Sequence, residues 1–306
     1  MIDLAAAHDE LRPLMFSIAY RMLGSVTEAE DVVQEAFLRL HRASREQALV
    51  DNLEAYATTV TTRLAIDTLR SARVRREQYV GPWLPEPILT DAGDTDPVHR
   101  LELDETVSTA FLVLLEALTP IERAVFVLRE ALDYDYGEIA VVVDKSEANC
   151  RQILARARRR IQDGTPRFEV SREHRDRLAG RFLEAVGAGD LAGLERLLAD
   201  DVVFVGDGGG RAPAIQKPMV GALAVARFLV GLVRRGEALG VRLDLVEANG
   251  QPALRTLTAD GALLGILTID VEDDRIVRLH NVINPDKLSH LGVVGDLTAL
   301  LAGGKM

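Results

Sequence analysis

The 306 residues suffice for two or three domains that each bury a core, and a chain 48% hydrophobic and 27% charged has ordinary globular composition. A single cysteine, Cys150, excludes a disulfide framework and a multi-cysteine zinc site, and fits a reducing cytoplasm. The net charge of −11 argues against tight autonomous DNA binding, but the charge is unevenly spread. Residues 81–105 hold seven acidic side chains against one basic, whereas Arg63, Arg70, Arg73, Arg75 and Arg76 form a basic cluster. Arg151, Arg156, Arg158, Arg159 and Arg160 form a second. Clusters this local engage phosphates within a Debye length, which suits a protein delivered to DNA by a larger partner.

The chain opens without a basic segment followed by an apolar one, so secretion is not expected. In the first 80 residues the spacing predicts helices. Gly24 is placed to close one, and Ser25 or Thr27 to cap the next. Between Glu28 and Leu40 the apolar positions Val33, Phe37 and Leu40 share a face, and Asp31, Gln34, Glu35 and Leu38 share another. That second face reads either as a solvated surface or as a partner interface. A further helix is expected from Leu53 to Ala72, on which Arg63, Asp67 and Arg70 lie at i, i+4 and i+7. Two readings fit them: a surface ion-pair ladder, or a basic track for a DNA backbone or a displaced strand.

Residues 80–98 contain four prolines and much of the acidic run, which predicts an extended linker. Helices resume near Leu101. Thr119-Pro120-Ile121-Glu122 combines a capping threonine, proline at the first helical position and glutamate at the third, and Asp135-Tyr136-Gly137-Glu138 follows the same capping logic. The pair Tyr136–Val143 and Glu147–Ile161, joined at Asp144-Lys145, reads as a helix–turn–helix whose second helix enters a major groove. Ser146, Glu147, Asn149, Cys150 and Arg151 would then reach base edges, with Asn149 suited to adenine, Arg151 to guanine and Glu147 to cytosine. Lys145, Arg156, Arg158, Arg159 and Arg160 would hold phosphates. The competing reading is a helical hairpin with a solvated basic face.

From Ser171 the pattern changes. Helices are expected at 172–187, 191–198 and 221–235, then strands at 241–248, 252–258, 262–271 and 275–283 with turns at Asn249-Gly250, Asp260-Gly261 and Glu272-Asp273-Asp274. Helices followed by an antiparallel meander predict α+β architecture. The apolar stretch from Met219 to Val233 is too short to span a bilayer and is interrupted by Arg227, so it reads as a buried helix and no membrane partner is expected.

Three segments carry a family resemblance. Val26 to Leu40 (VTEAEDVVQEAFLRL) resembles region 2.1–2.2 of extracytoplasmic-function (ECF) RNA polymerase sigma factors, and Arg63 to Arg70 (RLAIDTLR) resembles the end of their region 2. Leu118 to Arg129 with the helix–turn–helix resembles region 4, so the likeness runs in order over about residues 5–163. It implies that Asp31, Gln34, Glu35 and Leu38 dock on the β′ coiled coil of core RNA polymerase. It also implies that Arg63, Asp67, Arg70, Arg73, Arg75 and Arg76 engage the −10 promoter element. Lys145, Ser146, Glu147, Asn149, Cys150, Arg151, Arg156 and Arg158 would serve the −35 element. Core polymerase, through β′ and β, and promoter DNA are the expected partners.

Trp83-Leu84-Pro85-Glu86-Pro87, Asp207-Gly208-Gly209-Gly210 and Asn284-Pro285-Asp286-Lys287-Leu288 are similar to markers of the ECF group with a fused SnoaL-like extension. The fold class implied is multidomain: all-α sigma regions 2 and 4, then an α+β NTF2-like cone. The expected divisions are region 2 at 1–79, linker at 80–100, region 4 at 101–165, the SnoaL-like domain at 171–290 and a tail at 291–306. In that group the extension resembles a built-in regulator contacting the sigma domains, for which Trp83, Leu84, Pro85, Asp207, Gly208, Asn284, Pro285, Asp286 and Lys287 are the candidate residues.

A second reading makes the last domain a small-molecule enzyme or ligand sensor of the isomerase or cyclase type. Its candidate bases are Asp207, His280, Asp244 and Glu247. Strand alternation points His280 toward a pocket and Asn281 away from it, although a structural histidine also fits. All five tyrosines and the one tryptophan precede residue 140, so no phenol serves that domain as an oxyanion donor. The run from Asp207 to Gly210 reads equally as a tight turn requiring positive φ. The expectation is therefore a non-enzyme with no cofactor and no metal, and with a pocket open to a small-molecule ligand.

Overall fold

A computed structural model describes residues 4–45, 52–90, 107–162 and 171–303, which divide into two compact units. The first comprises described residues up to Glu77, with Val107 and 111–162; the second comprises 78–90, 108–110 and 171–303.

In the first unit, helices α1 (Leu4–Leu23), α2 (Val26–Arg45) and α3 (Leu53–Glu77) pack on one another. Gly24 ends α1 at φ 64°, where its N–H reaches the Tyr20 carbonyl at 2.7 Å, and Ser25 Oγ accepts from Glu28 N at 3.1 Å to start α2. Val33 and Leu40 are buried as their spacing predicts, and Phe37 on the same face is half-buried. After α4 (Thr109–Leu115), helix α5 (Pro120–Phe126) begins in the expected capping box at Thr119 and runs into a π-helical turn over Val127–Ala131. A second capping box at Asp135 starts α6 (Tyr136–Val143). Asp144 ends it at φ 53°, and α7 follows over Glu147–Gln162.

Arg123 is the largest side chain in this core. It is 2% exposed, and its guanidinium donates to the Leu115 carbonyl at 3.0 Å, the Met22 carbonyl at 2.8 Å and Glu116 at 2.6 Å. Arg76 reaches the same carboxylate at 2.6 Å and the Leu23 carbonyl at 2.6 Å. Burial alone would raise the Glu116 carboxyl, but Arg123 and Arg76 hold it below its usual value. This knot joins the end of α1 to α3 and α5, the elements of the two expected sigma regions.

The second unit contains α8 (Arg172–Gly187), α9 (Leu191–Leu197) and α10 (Ala222–Ala238) packed on a sheet of β1 (Leu198–Asp207), β2 (Met219–Val220), β3 (Arg242–Ala248), β4 (Gln251–Leu257), β5 (Leu263–Glu272) and β6 (Arg275–Val282). The strand order is β2-β1-β6-β5-β4-β3. The meander β3 to β6 is antiparallel as expected, with Asn249 and Gly250 both at positive φ in the first turn. However, β1 pairs parallel to β6, so the sheet is mixed; β1 and β2 are not among the predicted strands. The result is the α+β NTF2-like arrangement, with Phe182, Phe204, Leu229, Leu267 and Leu279 in its core. The helix read as wholly buried is amphipathic: Val225, Ala226 and Leu229 face the core and Arg227 faces solvent.

The expected linker is extended but is no free spacer over its described part. Leu84 and Ile88 are each 1% exposed within the second unit, and Leu89 bridges antiparallel to Ala248. Prolines at 85 and 87 suit this role because they hold the backbone extended without needing ladder hydrogen bonds. The acidic run from Asp91 to Glu105 lies outside the described residues. Beyond β6 come α11 (Pro285–Leu288), a short 3-10 turn and α12 (Leu297–Gly303).

Arg123→Met should weaken urea unfolding of the helical unit by about 3–5 kcal/mol, because Glu116 and two carbonyls lose their buried donor. Thr119→Ala should cost only about 1 kcal/mol as the loss of a cap. Far-ultraviolet circular dichroism of the full chain measures both, and the ranking is the test.

Candidate nucleic-acid interface and buried linker clamp

On α7 the Ser146 hydroxyl caps the helix, accepting from Asn149 N at 3.3 Å. Glu147, Arg151, Arg156, Arg158, Arg159 and Arg160 are exposed and Asn149 is half-buried. Arg151 pairs with Glu147 at 2.7 Å and lies 4.7 Å above the Tyr136 ring centroid. Arg158 pairs with Glu130 at 2.8 Å, Arg160 with Glu122 at 2.6 Å and Arg156 with Glu122 at 4.0 Å. The exposed Arg151–Glu147 and part-exposed Arg158–Glu130 pairs are worth about 0–1 kcal/mol, so they exchange readily for phosphates, whereas Glu122 is buried. Lys145 Nζ donates to its neighbour's carbonyl, Asp144 O, at 2.9 Å. Cys150 departs from its expected role. It is fully buried in the helical core, where burial raises its thiol, and a side chain without exposure does not reach a base edge.

On α3, Arg63, Asp67 and Arg70 do share an exposed face, and Arg70 pairs with Asp67 at 2.9 Å. Arg63 donates to the carbonyls of Val142 at 2.9 Å and Val141 at 2.8 Å, at the C-terminal end of α6. This is where a helix dipole favours a cation. Arg73 is half-buried, Arg76 belongs to the Glu116 knot, and the side chain of Arg75 lies outside the described residues. On α2, Asp31 and Gln34 are exposed, Leu38 is 47% exposed, and Glu35 pairs with Arg39 at 2.9 Å.

The second unit holds a clamp made from three distant sequence segments. Asp207, at the end of β1, is fully buried. Its carboxylate accepts from Lys287 Nζ at 2.7 Å, Leu84 N at 2.8 Å and the Tyr79 hydroxyl at 2.5 Å. Asn284 Nδ2 donates to the Tyr79 oxygen at 2.8 Å, and Lys287 also donates to the Leu84 carbonyl. The ammonium sits 4.1 Å from the Trp83 ring centroid and 4.9 Å from that of Tyr79, as a cation–π contact requires. Burial, and then the Asp207 carboxylate, push the Tyr79 phenol well above its ordinary value, so it stays a donor. A Cβ at Gly209 would lie 2.2 Å from Asn284 Nδ2, and one at Gly208 would lie 2.3 Å from the Ala212 carbonyl oxygen. Pro85 is buried beside Leu84, Pro285 opens α11, and Asp286 pairs with Arg211 at 3.2 Å. Further along the segment, Ile88 and Asn249 exchange hydrogen bonds at 2.8 and 3.1 Å, and Thr90 Oγ1 donates to Glu247 at 2.8 Å.

The four candidate bases lie apart. Asp207 is consumed by the clamp, Asp244 pairs with Arg255 at 3.2 Å, and Glu247 binds Thr90 and Arg172. His280 is 2% exposed, with Nδ1 3.3 Å from Asp270 Oδ2. Neither atom has a hydrogen-bond partner among the described residues. Sequence reasoning missed Asp270 and also Gln251, whose amide donates to Asp270 Oδ1 at 3.0 Å and accepts from Thr109 N at 3.2 Å. Burial raises the Asp270 carboxyl and lowers the His280 imidazole, with Arg278 lowering both and the two groups partly restoring each other. The expected orientation of β6 is reversed: Asn281, not His280, lines the cavity within the domain.

The helix–turn–helix unit and the NTF2-like unit define a DNA-reading factor with a fused α+β domain, and comparison with known families gives the same division. Sigma-70 region 2 matches residues 8–75, Sigma-70, region 4 matches 108–161 and the SnoaL-like domain matches 179–279. The chain is 37% identical over 290 residues to ECF RNA polymerase sigma factor SigJ of Mycobacterium tuberculosis, covering 92% of each. It is 32% identical over 291 residues to the probable ECF sigma factor SigI of the same organism, covering 94% of this chain and 95% of that one. The crystal structure of the M. tuberculosis SigJ protein superposes with a TM-score of 0.76 at 34% identity, over 93% of this chain and 98% of that one. The chain belongs to the ECF RNA polymerase sigma factor family.

Lys287→Met leaves Asp207 buried without its countercharge, so it should destabilise the second unit by about 3–5 kcal/mol. It should also expose residues 79–90 to limited proteolysis, which gel analysis of digests reads directly.

The Asp270 and His280 limbs have opposite signs. The depressed His280 contributes stability above its unfolded value near 6.5 and loses it as pH falls. The raised Asp270 contributes stability below its unfolded value near 3.8 and loses it as pH rises. Between these values the limbs oppose one another. Asp270→Asn should therefore make stability fall below about pH 6.5, and His280→Gln should make it fall as pH rises above about 4. Each slope is at most about 1.4 kcal/mol per pH unit, measured by urea unfolding across pH.

Proposed function

We propose that this chain binds core RNA polymerase through its β′ and β subunits in the cytoplasm and directs promoter-specific initiation. On this reading α7 reads the −35 element, α3 engages the −10 element, and the C-terminal unit regulates both in cis. The observation that carries it is the exposed N-terminal half of α7, where Glu147, Asn149 and Arg151 follow a capped start on a helix–turn–helix. The face of Asp31, Gln34, Glu35 and Leu38 supports docking on the β′ coiled coil, since an exposed leucine among acidic side chains suits a basic-rimmed apolar groove. Arg63 is engaged by α6, so its contact with DNA requires exchange of two carbonyl hydrogen bonds. The buried clamp supports regulation in cis, because residues 79–90 leading out of α3 are integral to the C-terminal unit and the connection gives that unit a high effective concentration. The inventory favours a transcription factor over an enzyme, as no candidate base faces the cavity.

Run-off transcription with purified core enzyme and a promoter from the chain's own regulon tests the proposal. Arg151→Ala should weaken specific initiation by about 5- to 150-fold, the cost of one bidentate base contact. Arg158→Ala should weaken binding to all sequences alike and flatten the salt dependence. Absence of core binding where a control sigma factor binds would overturn the proposal. Removal of the chain after Leu288, or after Gln162, should change promoter activity; equal activity of both truncations and the full chain would remove the cis-regulatory part.

A further inference from the structure

The sheet, α8, α10 and α12 line an open-mouthed cavity of about 680 Å³ within the second unit, a volume typical of small-molecule sites. Phe182, Phe204 and Phe228 line it, the last two meeting edge to face at 5.1 Å. Its floor is a cross-strand row, Gly206, Asn281, Leu267 and Leu254, on β1, β6, β5 and β4. One side is closed by the tail. Leu263 N donates to the Val293 carbonyl at 2.8 Å and accepts Gly295 N at its own carbonyl at 2.8 Å. Thus pinned, the chain enters α12, which turns Leu297, Leu300 and Leu301 to the cavity at i, i+3 and i+4.

The polar inventory of this wall is selective. Its ionisable side chains are Arg235 and Glu237, both solvent-exposed at the end of α10. Inside stand the carboxamide of Asn281 and the hydroxyl of Thr256, and neither has a side-chain hydrogen bond to another described residue. An amide set in a hydrocarbon wall with two donors and an acceptor unused is an orienting group for a ligand's polar atom. A charged ligand would lose hydration here without meeting a countercharge. Neither Asn281 nor Thr256 titrates, and His280 and Asp270 lie on the opposite face of the sheet, so the wall supplies recognition without acid–base chemistry.

We propose that this cavity binds a neutral, largely hydrocarbon small molecule carrying one hydroxyl or carbonyl group, with that group held by Asn281 and the bound molecule covered by α12. None of the lining residues belongs to the helical unit, so the site stands or falls independently of promoter recognition.

The test uses the full chain and the uncharged hydrocarbon fluorophore 1,6-diphenylhexatriene, displaced by 1-decanol or by decanoate at pH 8. Saturable binding of one fluorophore per chain is expected, with 1-decanol displacing it at a concentration at least about tenfold lower than decanoate. Asn281→Leu should leave fluorophore affinity within about twofold and raise the 1-decanol concentration for half-displacement by about threefold to tenfold, the worth of one hydrogen bond. The pair Leu300→Ala and Leu301→Ala, on half-exposed positions that do not threaten folding, should speed fluorophore release in stopped flow. Absence of saturable binding, equal displacement by decanoate, or an unchanged 1-decanol response in Asn281→Leu would each overturn the ligand class. Unchanged release in the leucine variant would overturn the role of α12.

Discussion

The Asp207–Lys287 ion pair dictates much of the second unit. A carboxylate and an ammonium removed from water are tolerated only when their remaining hydrogen-bond capacity is answered, because the desolvation cost of either charge alone is several kcal/mol. Asp207 is answered by Leu84 N and Tyr79, and Lys287 by the Leu84 carbonyl and two aromatic faces. Those partners come from the segment that follows α3, so the pair cannot be satisfied unless that segment lies against the domain. The same demand explains Gly208 and Gly209, where a side chain would occupy space held by the Ala212 carbonyl and Asn284. A segment whose composition reads as a linker is thereby part of the domain's interior.

In the helical unit the arginines divide by what surrounds them. Arg123 and Arg76 are sunk into a carboxylate and backbone carbonyls, and their loss leaves buried polar atoms unanswered. Arg151 and Arg158 hold exposed or partly exposed acidic partners and lose little by exchanging them, whereas Arg156 and Arg160 reach from solvent to the buried Glu122. Sequence proximity does not make that distinction: Arg76 follows Arg73 and Arg70 in one cluster yet sits in the interior. For the chain as a whole, the acidic partners within region 4 also account for a near-neutral segment that still presents cations on one helix.

Elements set by local chemistry were legible in the sequence. Both capping boxes, the helix–turn–helix and the strands of the meander fall within a few residues of their expected places, because caps and turns act over four residues or fewer. Elements set by distant partners were not. Strand β1 carries Asp200 and Asp201, which obscure its alternation, and its parallel partner β6 lies about 75 residues onward. Cys150 shares a capped helix start with Asn149 and Arg151, and only the packing of α7 on α5 and α6 shows which side is core. The reversal at His280 has a definite origin. In β6, Ile276 pairs with Val271 and Arg278 with Asp270, which leaves Val277 as an extra residue. Alternation counted from Ile276 therefore slips by one, so Leu279 and Asn281 face the core and cavity while His280 faces Asp270.

That bulge also ties the two buried sites of the domain together. The register it sets places Gly206 opposite Asn281 and Asp207 opposite Val282. Gly206 and Asn281 line the cavity, whereas Asp207, one residue on, anchors the clamp. Ile283 lines the cavity with its side chain and donates its N–H to the Asp207 carbonyl at 2.8 Å, and Asn284 next to it holds Tyr79. The cavity floor and the clamp thus occupy alternate faces of one strand pair. Close-packed strands shift as units rather than yielding locally. Asn281 and Ile283 are thereby one residue removed, along the same strand pair, from the groups that bond residues 79–84.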